Sequence, residues 1–315
     1  MIRVDNIVKY YGEHLALKGI SYTINKGEIV GFLGPNGAGK STMMRIITGY
    51  LPATSGFVYL DDYEIYDNPI ELKRKIGYMP ENISLYTEMT VIDYLKFAAK
   101  LKGISRKHIK SALENTIEIT GLTKYKDRII GHLSKGYKQR TGIAQAIIHD
   151  PEVLILDEPT SGLDPNQLIE VRSLIKSLGG TRTVILSTHI LSEVEATCSR
   201  AIIINKGNII ADDTPENLSL NFGNNDKSST IKISIKTNDN IESVKEKLLS
   251  VSDIYKVEIE DNFNNIKELT IYSNSEEPRD EIYRFIKSTD WIIYEMTRVK
   301  ENLETVFHTL TKGDE

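Results

Sequence analysis

The 315 residues carry 39 Lys and Arg against 44 Asp and Glu, a net charge of −5, with 40% hydrophobic and 26% charged residues. This is an ordinary globular composition long enough for two domains, and it excludes a global basic footprint for nucleic acid. A single cysteine, Cys198, excludes an internal disulfide and fits a reducing compartment; residues 1–30 lack the basic start and apolar core of a signal peptide, and no apolar run approaches the roughly 18 residues of a membrane span.

In chain order, residues 1–30 alternate short strand patterns ("IRVDNIV", "ISYTI") with the turn residues Gly12, Asn25 and Gly27. "EIVGFLG" (28–34) predicts a buried strand running into a glycine-rich loop. "KSTMMRIITG" (40–49) predicts a helix, with Met43, Met44 and Ile47 at helical spacing and Gly49 at its stop. Alternation returns in "SGFVYLDDYEI" (55–65). "MTVIDYLKFAAKLKG" (89–103) predicts an amphipathic helix capped by Thr90, its stripe formed by Val91, Leu95, Ala98 and Leu101. A helix over 136–151 stops near Pro151. "EVLILDEP" follows as a buried strand, "PNQLIEVRSLIKSLG" as a helix, "TVILSTH" as a strand and "ILSEVEATC" as a helix. Residues 201–213 read as a hairpin around Lys206-Gly207-Asn208. Strands alternating with helices predict an α/β fold whose largely parallel sheet is covered on both faces.

Composition shifts at "SLNFGNNDKSST" (219–230), which reads as a linker between a first domain over 1–218 and a second over 231–315. The second domain predicts strands 231–237, 254–260, 266–273 and 291–296 with helices 240–250 and 278–288, a ferredoxin-like βαββαβ order, and a further helix over 301–310. Residues 230–315 hold 12 Lys and Arg against 18 Asp and Glu, an acidic balance that disfavours phosphate-backbone binding.

"GPNGAGKST" spans Gly34, Pro35, Asn36, Gly37, Ala38, Gly39, Lys40, Ser41 and Thr42 and fits the phosphate-loop pattern. Its glycines let backbone N–H groups converge on phosphate oxygens, and the helix that follows points its positive end at the same anion. Lys40 can reach the β and γ phosphates of ATP, and Ser41 can ligate Mg²⁺. "LILDEP" (154–159) ends a strand with two adjacent carboxylates. On a strand these point to opposite faces and so take different tasks, Asp157 holding Mg²⁺ and Glu158 polarising the attacking water. Ser134, in "LSKGYKQR" (133–140), reads by itself as a helix cap.

The order of phosphate loop, "LSKGYKQR", "LILDEPTSGLD" and "LSTH" (186–189) closely resembles the ATPase subunits of ABC transporters, over residues 1–218. The resemblance implies a P-loop ATPase domain with an antiparallel β subdomain and a helical subdomain, followed by the small ferredoxin-like domain. It implies ATP and Mg²⁺ as ligands and a second copy of the chain as partner. Ser134 and the N–H groups near Gly136 would complete the ATP site held by that copy. Here Lys135 stands where the family more often has Gly, and Tyr137 where it has Gln. Tyr11 resembles the aromatic residue that stacks on adenine, with Tyr10 as the competing candidate. His189 resembles the switch histidine at the γ-phosphate and joins Glu158 and Lys40 as a catalytic candidate. Asp164, in "SGLD", resembles the key acid of the loop joining the two sites. Glu81, in "IGYMPE", stands where the metal- and water-sensing Gln is usual.

"IGYMPE", "LSKGYKQR" and "STHILSEVE" further resemble the ATPases of ABC-2-type exporters, and within that group the gliding-motility-associated ones. The ending "VKENLETVFHTLT" is similar to the tails of these subunits, with Leu303, Val306, Phe307 and Leu310 on one helical face. This likeness implies membrane-spanning permease subunits on separate chains and a peripheral place on the cytoplasmic face of the membrane. The competing class is a soluble ABC ATPase acting on ribosomes or nucleic acid. Such proteins usually carry two cassettes or a long coiled-coil insertion, and neither is present here. The acidic second domain reads either as a regulator-binding module or as a dimerisation and docking module.

Overall fold

In the computed structural model, β1 (Ile2–Tyr11) and β2 (His14–Ile24) pair antiparallel and bury Ile2, Val4, Ile7, Leu17, Ile20 and Ile24 on one side. The structure describes residues 1–67, 69–218, 229–263, 266–275 and 277–299. The chain divides into two units, Met1–Pro215 and Glu216–Glu315.

In the first unit β3 (Ile29–Leu33) leads into α1 (Lys40–Ile47), whose cap is Thr48, with Gly49 next in the left-handed region at φ 62°. The stretch predicted to alternate over 55–65 is a hairpin of β4 (Ser55–Leu60) and β5 (Tyr63–Glu64), turning at Asp61. Then come α2 (Pro69–Arg74), β6 (Ile76–Met79), α3 (Val91–Leu101), α4 (Ile109–Ile119) and α5 (Lys135–Ile147). They are followed by β7 (Val153–Asp157), α6 (Pro165–Leu178), β8 (Thr183–Thr188), α7 (Leu191–Thr197), β9 (Arg200–Asn205) and β10 (Asn208–Asp213). The last two strands join through Lys206 and Gly207, both at positive φ, as a tight hairpin requires.

Strands in the order β2-β1-β4-β5 form an antiparallel sheet, and β10-β9-β3-β8-β7-β6 form a second sheet that is parallel except at its β10 edge. Every residue of β7 and β8 is buried, as a strand covered on both faces demands. The order β3-β8-β7 sets three strand ends side by side, with Leu33 opposite Thr188 and Ser187 opposite Asp157. In α/β sheets the carboxyl ends of such strands are where ligands bind.

A separate helical lobe packs Leu95 and Ala99 of α3, Leu113 and Ile117 of α4, and Ala144 of α5. Thr90 caps α3, accepting the Asp93 N–H at 3.2 Å. Three elements go beyond the sequence expectations: α2, β6 and α4. β6 is four residues with a glycine inside it, and a Cβ on Gly77 would stand 2.2 Å from the Ala146 carbonyl of α5. Its strand character comes from pairing with β7, not from its own pattern.

The second unit contains β11 (Ser229–Lys236), α8 (Ile241–Leu249), β12 (Ile254–Phe263), β13 (Ile266–Ser273), α9 (Arg279–Lys287) and β14 (Ile292–Val299). All pairings are antiparallel, in the order β12-β13-β11-β14, around Ile231, Ile233, Val244, Leu248, Leu269 and Ile282. Asn240 caps α8 by accepting the Ser243 N–H at 2.7 Å. β11 starts at Ser229, inside the stretch read as linker, and β12 continues to Phe263, past the end predicted at 260. The predicted helix over 301–310 lies outside the described residues.

Candidate functional site

The loop from Gly34 to Gly39 connects β3 to α1. A Cβ on Gly34 would meet the Ile204 carbonyl at 2.4 Å, and Gly39 enters the helix at φ 112°, a backbone open to glycine. Lys40 is buried at the start of α1. Its Nζ donates to the Gly34 carbonyl at 2.7 Å and to the Pro35 carbonyl at 3.2 Å. The same ammonium stands 3.6 Å from Glu158 Oε1. Burial holds the Lys40 pKa below the usual lysine range, and the Glu158 carboxylate opposes that shift.

Ser41 donates to Asp157 Oδ1 at 3.2 Å, and Ser187 donates to the same oxygen. Asp157 is the last residue of β7. Glu158 is not on the strand: at φ 50° it has turned into the left-handed region, held by its N–H to the Ser187 carbonyl at 3.0 Å. The expectation of opposite strand faces is therefore corrected. The turn re-aims Glu158, so that both carboxylates serve the phosphate loop, Asp157 through Ser41 and Glu158 through Lys40. A glutamate at positive φ is sparsely populated and carries strain of the kind found at functional positions. Glu158 Oε2 is 2.9 Å from Nδ1 of His189, the residue after β8.

Lys40, Ser41, Glu158 and His189 wall a cavity of about 520 Å³ together with Tyr11, His14, Asn36, Thr42, Glu81 and Ser161. The Tyr11 hydroxyl lies 3.5 Å from Thr42 Oγ1, and Lys9 Nζ lies 5.4 Å from the Tyr11 ring centre. Tyr10, its neighbour on the strand, is not among the walls. Glu81 also lines a second cleft of about 670 Å³, with Tyr78, Tyr86, Tyr94, Phe97 and Lys102.

Ser134, Gly136 and Asp164 lie outside this chain's phosphate cavity. Ser134 begins α5 but makes no side-chain cap bond. Instead Gln167 covers it: Gln167 Oε1 accepts the Gly136 N–H at 3.1 Å, and Gln167 Nε2 donates to Ser134 Oγ at 3.4 Å. Asp164 caps α6, accepting the Gln167 N–H at 2.9 Å. Sequence reasoning missed Ser187, Gln167, His14 and Ser161, whose places depend on strand neighbours and helix ends that no local pattern encodes.

The donor set suits Mg²⁺. Ser41, Asp157 and Glu81 offer hard oxygen ligands beside the phosphate loop. The described residues hold no cluster of three or more His, Cys, Asp or Glu able to cage a metal, and Mg²⁺ needs none, since it takes one or two carboxylates alongside substrate phosphates and water.

A family model described as ABC transporter matches residues 17–161. The chain is 39% identical over 224 residues to the linearmycin resistance ATP-binding protein LnrL of Bacillus subtilis (strain 168), covering 71% of this chain and 72% of that protein. It is 39% identical over 212 residues to the bacitracin transport ATP-binding protein BcrA of Bacillus licheniformis, covering 67% of this chain and 68% of the relative. Among solved structures, the dimeric ATP-binding cassette MJ0796 in a post-hydrolysis state with ADP and phosphate aligns with a TM-score of 0.61 at 27% identity, over 68% of this chain and 98% of that one. A phosphate loop facing two carboxylates occurs in many nucleotide-binding folds, but 39% identity here extends over 71% of this chain and 72% of LnrL. On that ground the chain belongs to the ABC transporter family, as an ATP-binding subunit that hydrolyses ATP.

Proposed function

We propose that the chain powers an ABC-2-type exporter: two copies close on ATP, and separate membrane-spanning permease subunits dock on them at the cytoplasmic face of the membrane. In this reading residues 1–218 form the ATPase domain and 231–315 an accessory domain. The names of LnrL and BcrA, tied to antibiotic resistance and transport, support an exporter. The cleft shared by Glu81 and the aromatic face of α3 is the docking place, since Glu81 touches both the phosphate cavity and that cleft.

The observation that carries the mechanism is Glu158 held between Lys40 and His189 at the mouth of the phosphate loop. The backbone N–H groups of residues 34–42 cradle the phosphates. Lys40 leaves its two carbonyl acceptors to pair with the β and γ oxygens, and Tyr11 stacks on the adenine. Glu158, freed from Lys40, accepts the proton of the attacking water. His189 holds the γ-phosphate oxygens with the nitrogen not used by Glu158. Ser41, Asp157 and Glu81 would hold Mg²⁺, which when bound neutralises charge on the phosphates. Ser134 and Gly136 close the site of the second copy, with Asp164 at the crossing point between the two.

Glu158→Gln keeps the size of the side chain and removes the proton acceptor. Hydrolysis should fall by about 10²–10⁴-fold while ATP binding survives, so ATP-bound dimer accumulates on size-exclusion chromatography. Asp157→Asn should instead weaken Mg²⁺ use and nucleotide retention. Wild-type turnover in Glu158→Gln would remove Glu158 as the base.

A further inference from the structure

Behind the Glu158–His189 pair lies a buried carboxylate with no part in the mechanism above. Glu193, on α7, has 0% exposure. Its Oε2 accepts the Thr188 hydroxyl at 2.7 Å, and its Oε1 accepts the Thr160 hydroxyl. Both threonines are themselves buried. Thr188 Oγ1 also accepts the Ile190 N–H at 3.0 Å, so its one proton is committed to Glu193. Arg172 Nη2 stands 3.9 Å from Oε1, a partial counter-charge.

Thr188 immediately precedes His189, and Thr160 lies two residues beyond Glu158. The two threonines leave neighbouring strands, β8 and β7, so one carboxylate ties the two loops that carry the pair. A carboxylate accepts only, so both hydroxyls must point at it, which fixes two rotamers and the spacing between the loops. Enclosing such a group is unfavourable unless every lone pair is used, and an apolar residue would fill the same space at lower cost. Fixed loop spacing is what the carboxylate supplies and an apolar residue cannot.

We infer that Glu193 is a positioning residue for ATP hydrolysis: by stapling the loop after β7 to the loop after β8, it sets the distance between Glu158 and His189. The inference rests on the reading of those two residues as acting on one phosphate and its water. Glu193 touches neither, and acts through Thr160 and Thr188. Misplacing a reacting group by an ångström can cost about 10²-fold, so loosening the staple should act on turnover more than on ATP binding.

The test is a double-mutant cycle on the full-length chain, with Mg²⁺ and ATP. Glu193→Gln should lower kcat at least about tenfold with KM for ATP changed less than about twofold. In a His189→Ala background the same change should add less than about twofold, because the geometry it protects is already lost. Equal losses in both backgrounds would overturn the inference and leave the reading of His189 standing. Wild-type turnover in His189→Ala would sink that reading instead. Thr188→Val should reproduce the Glu193→Gln loss and Thr188→Ser should restore it, so the question stays open to decision if the Glu193 variant does not fold. Where His189→Ala leaves no measurable rate, the imidazole nitrogen resonances of His189 decide. They should move in Thr188→Val and in Glu193→Gln, and unmoved resonances would refute the staple.

Discussion

His149, just past α5, has Nε2 3.2 Å from the Ile76 carbonyl and Nδ1 without a hydrogen-bond partner. Nε2 therefore carries the proton and donates it, and the ring is neutral. Burial, and then the nearby Lys102 charge, push its pKa down from 6.5 to about 4. The unfolded chain takes up a proton on this ring near its ordinary pKa, while the folded chain refuses it until about pH 4. The stabilisation from the neutral ring is thus present above pH 6.5 and is lost as pH falls toward about 4. The melting temperature of the wild type should drop across that window more steeply than that of His149→Gln; parallel curves would show that the ring does not couple to folding. At this scale the sequence exposed the residues of the phosphate loop, because their chemistry is local: nine adjacent positions, "GPNGAGKST", fold on themselves. It did not expose Glu193 or Ser187, whose partners stand 33, 30 and 5 residues away across strand ends. Nor did it expose the turn at Glu158, which depends on the Ser187 carbonyl of the next strand.

The start of α5 and the first turn of α6 are locked together by Gln167, and the lock covers the groups assigned to the second copy's ATP. The Gly136 N–H cannot give its full strength to a phosphate oxygen while it serves Gln167 Oε1, and a Cβ on Gly136 would collide with that side chain at 2.6 Å. On the proposed reading of Gly136, closing on ATP displaces the amide. A typical intramolecular hydrogen bond contributes about 0.5–1.5 kcal/mol net. Removing it from the open state should favour the closed dimer by roughly two- to tenfold for each of its two sites. Gln167→Ala, placed in a Glu158→Gln background to hold ATP, should tighten ATP-dependent dimerisation by that amount in sedimentation experiments. A weaker dimer would mean that Gln167 holds the loop in its working shape instead. Most elements were legible because periodicity and caps agreed, as in α3 with Thr90 and α8 with Asn240. α4 carried the signal at Ile109, Leu113 and Ile117, but His108 makes no side-chain cap bond and leaves its start unmarked. β6 carried none, since four residues around Gly77 become a strand only when β7 lies beside them.

Across the whole molecule the charge is uneven: the chain is acidic overall, yet residues 96–110 gather Lys96, Lys100, Lys102, Arg106, Lys107 and Lys110 around α3 and the start of α4. Beside them opens the cleft lined by Tyr86, Tyr94, Phe97 and Leu101, with Arg45 and Lys102 at its edges. Leu101 is 71% exposed and Tyr86, also exposed, packs its ring at a tilt 5.4 Å from that of Phe97, so aromatic and apolar surface faces outward in the isolated chain. Among the described residues no helix is long and apolar enough to cross a membrane. The cleft shares a residue, Glu81, with the phosphate cavity, and on the proposed reading it is where the permease docks. Glu88, in the stretch between Glu81 and α3, is exposed but does not line the cleft. Phe97→Glu would set a charge in the cleft without touching the phosphate loop. ATP binding by the purified chain should persist, while the fraction of the chain sedimenting with membranes of its own cells should fall severalfold. Glu88→Lys, outside the cleft, should leave that fraction near the wild-type level. Membrane association unchanged in Phe97→Glu would exclude this cleft as the docking surface. Loss in both variants would mean that the permease reads the charge of the whole loop and not the shape of the cleft.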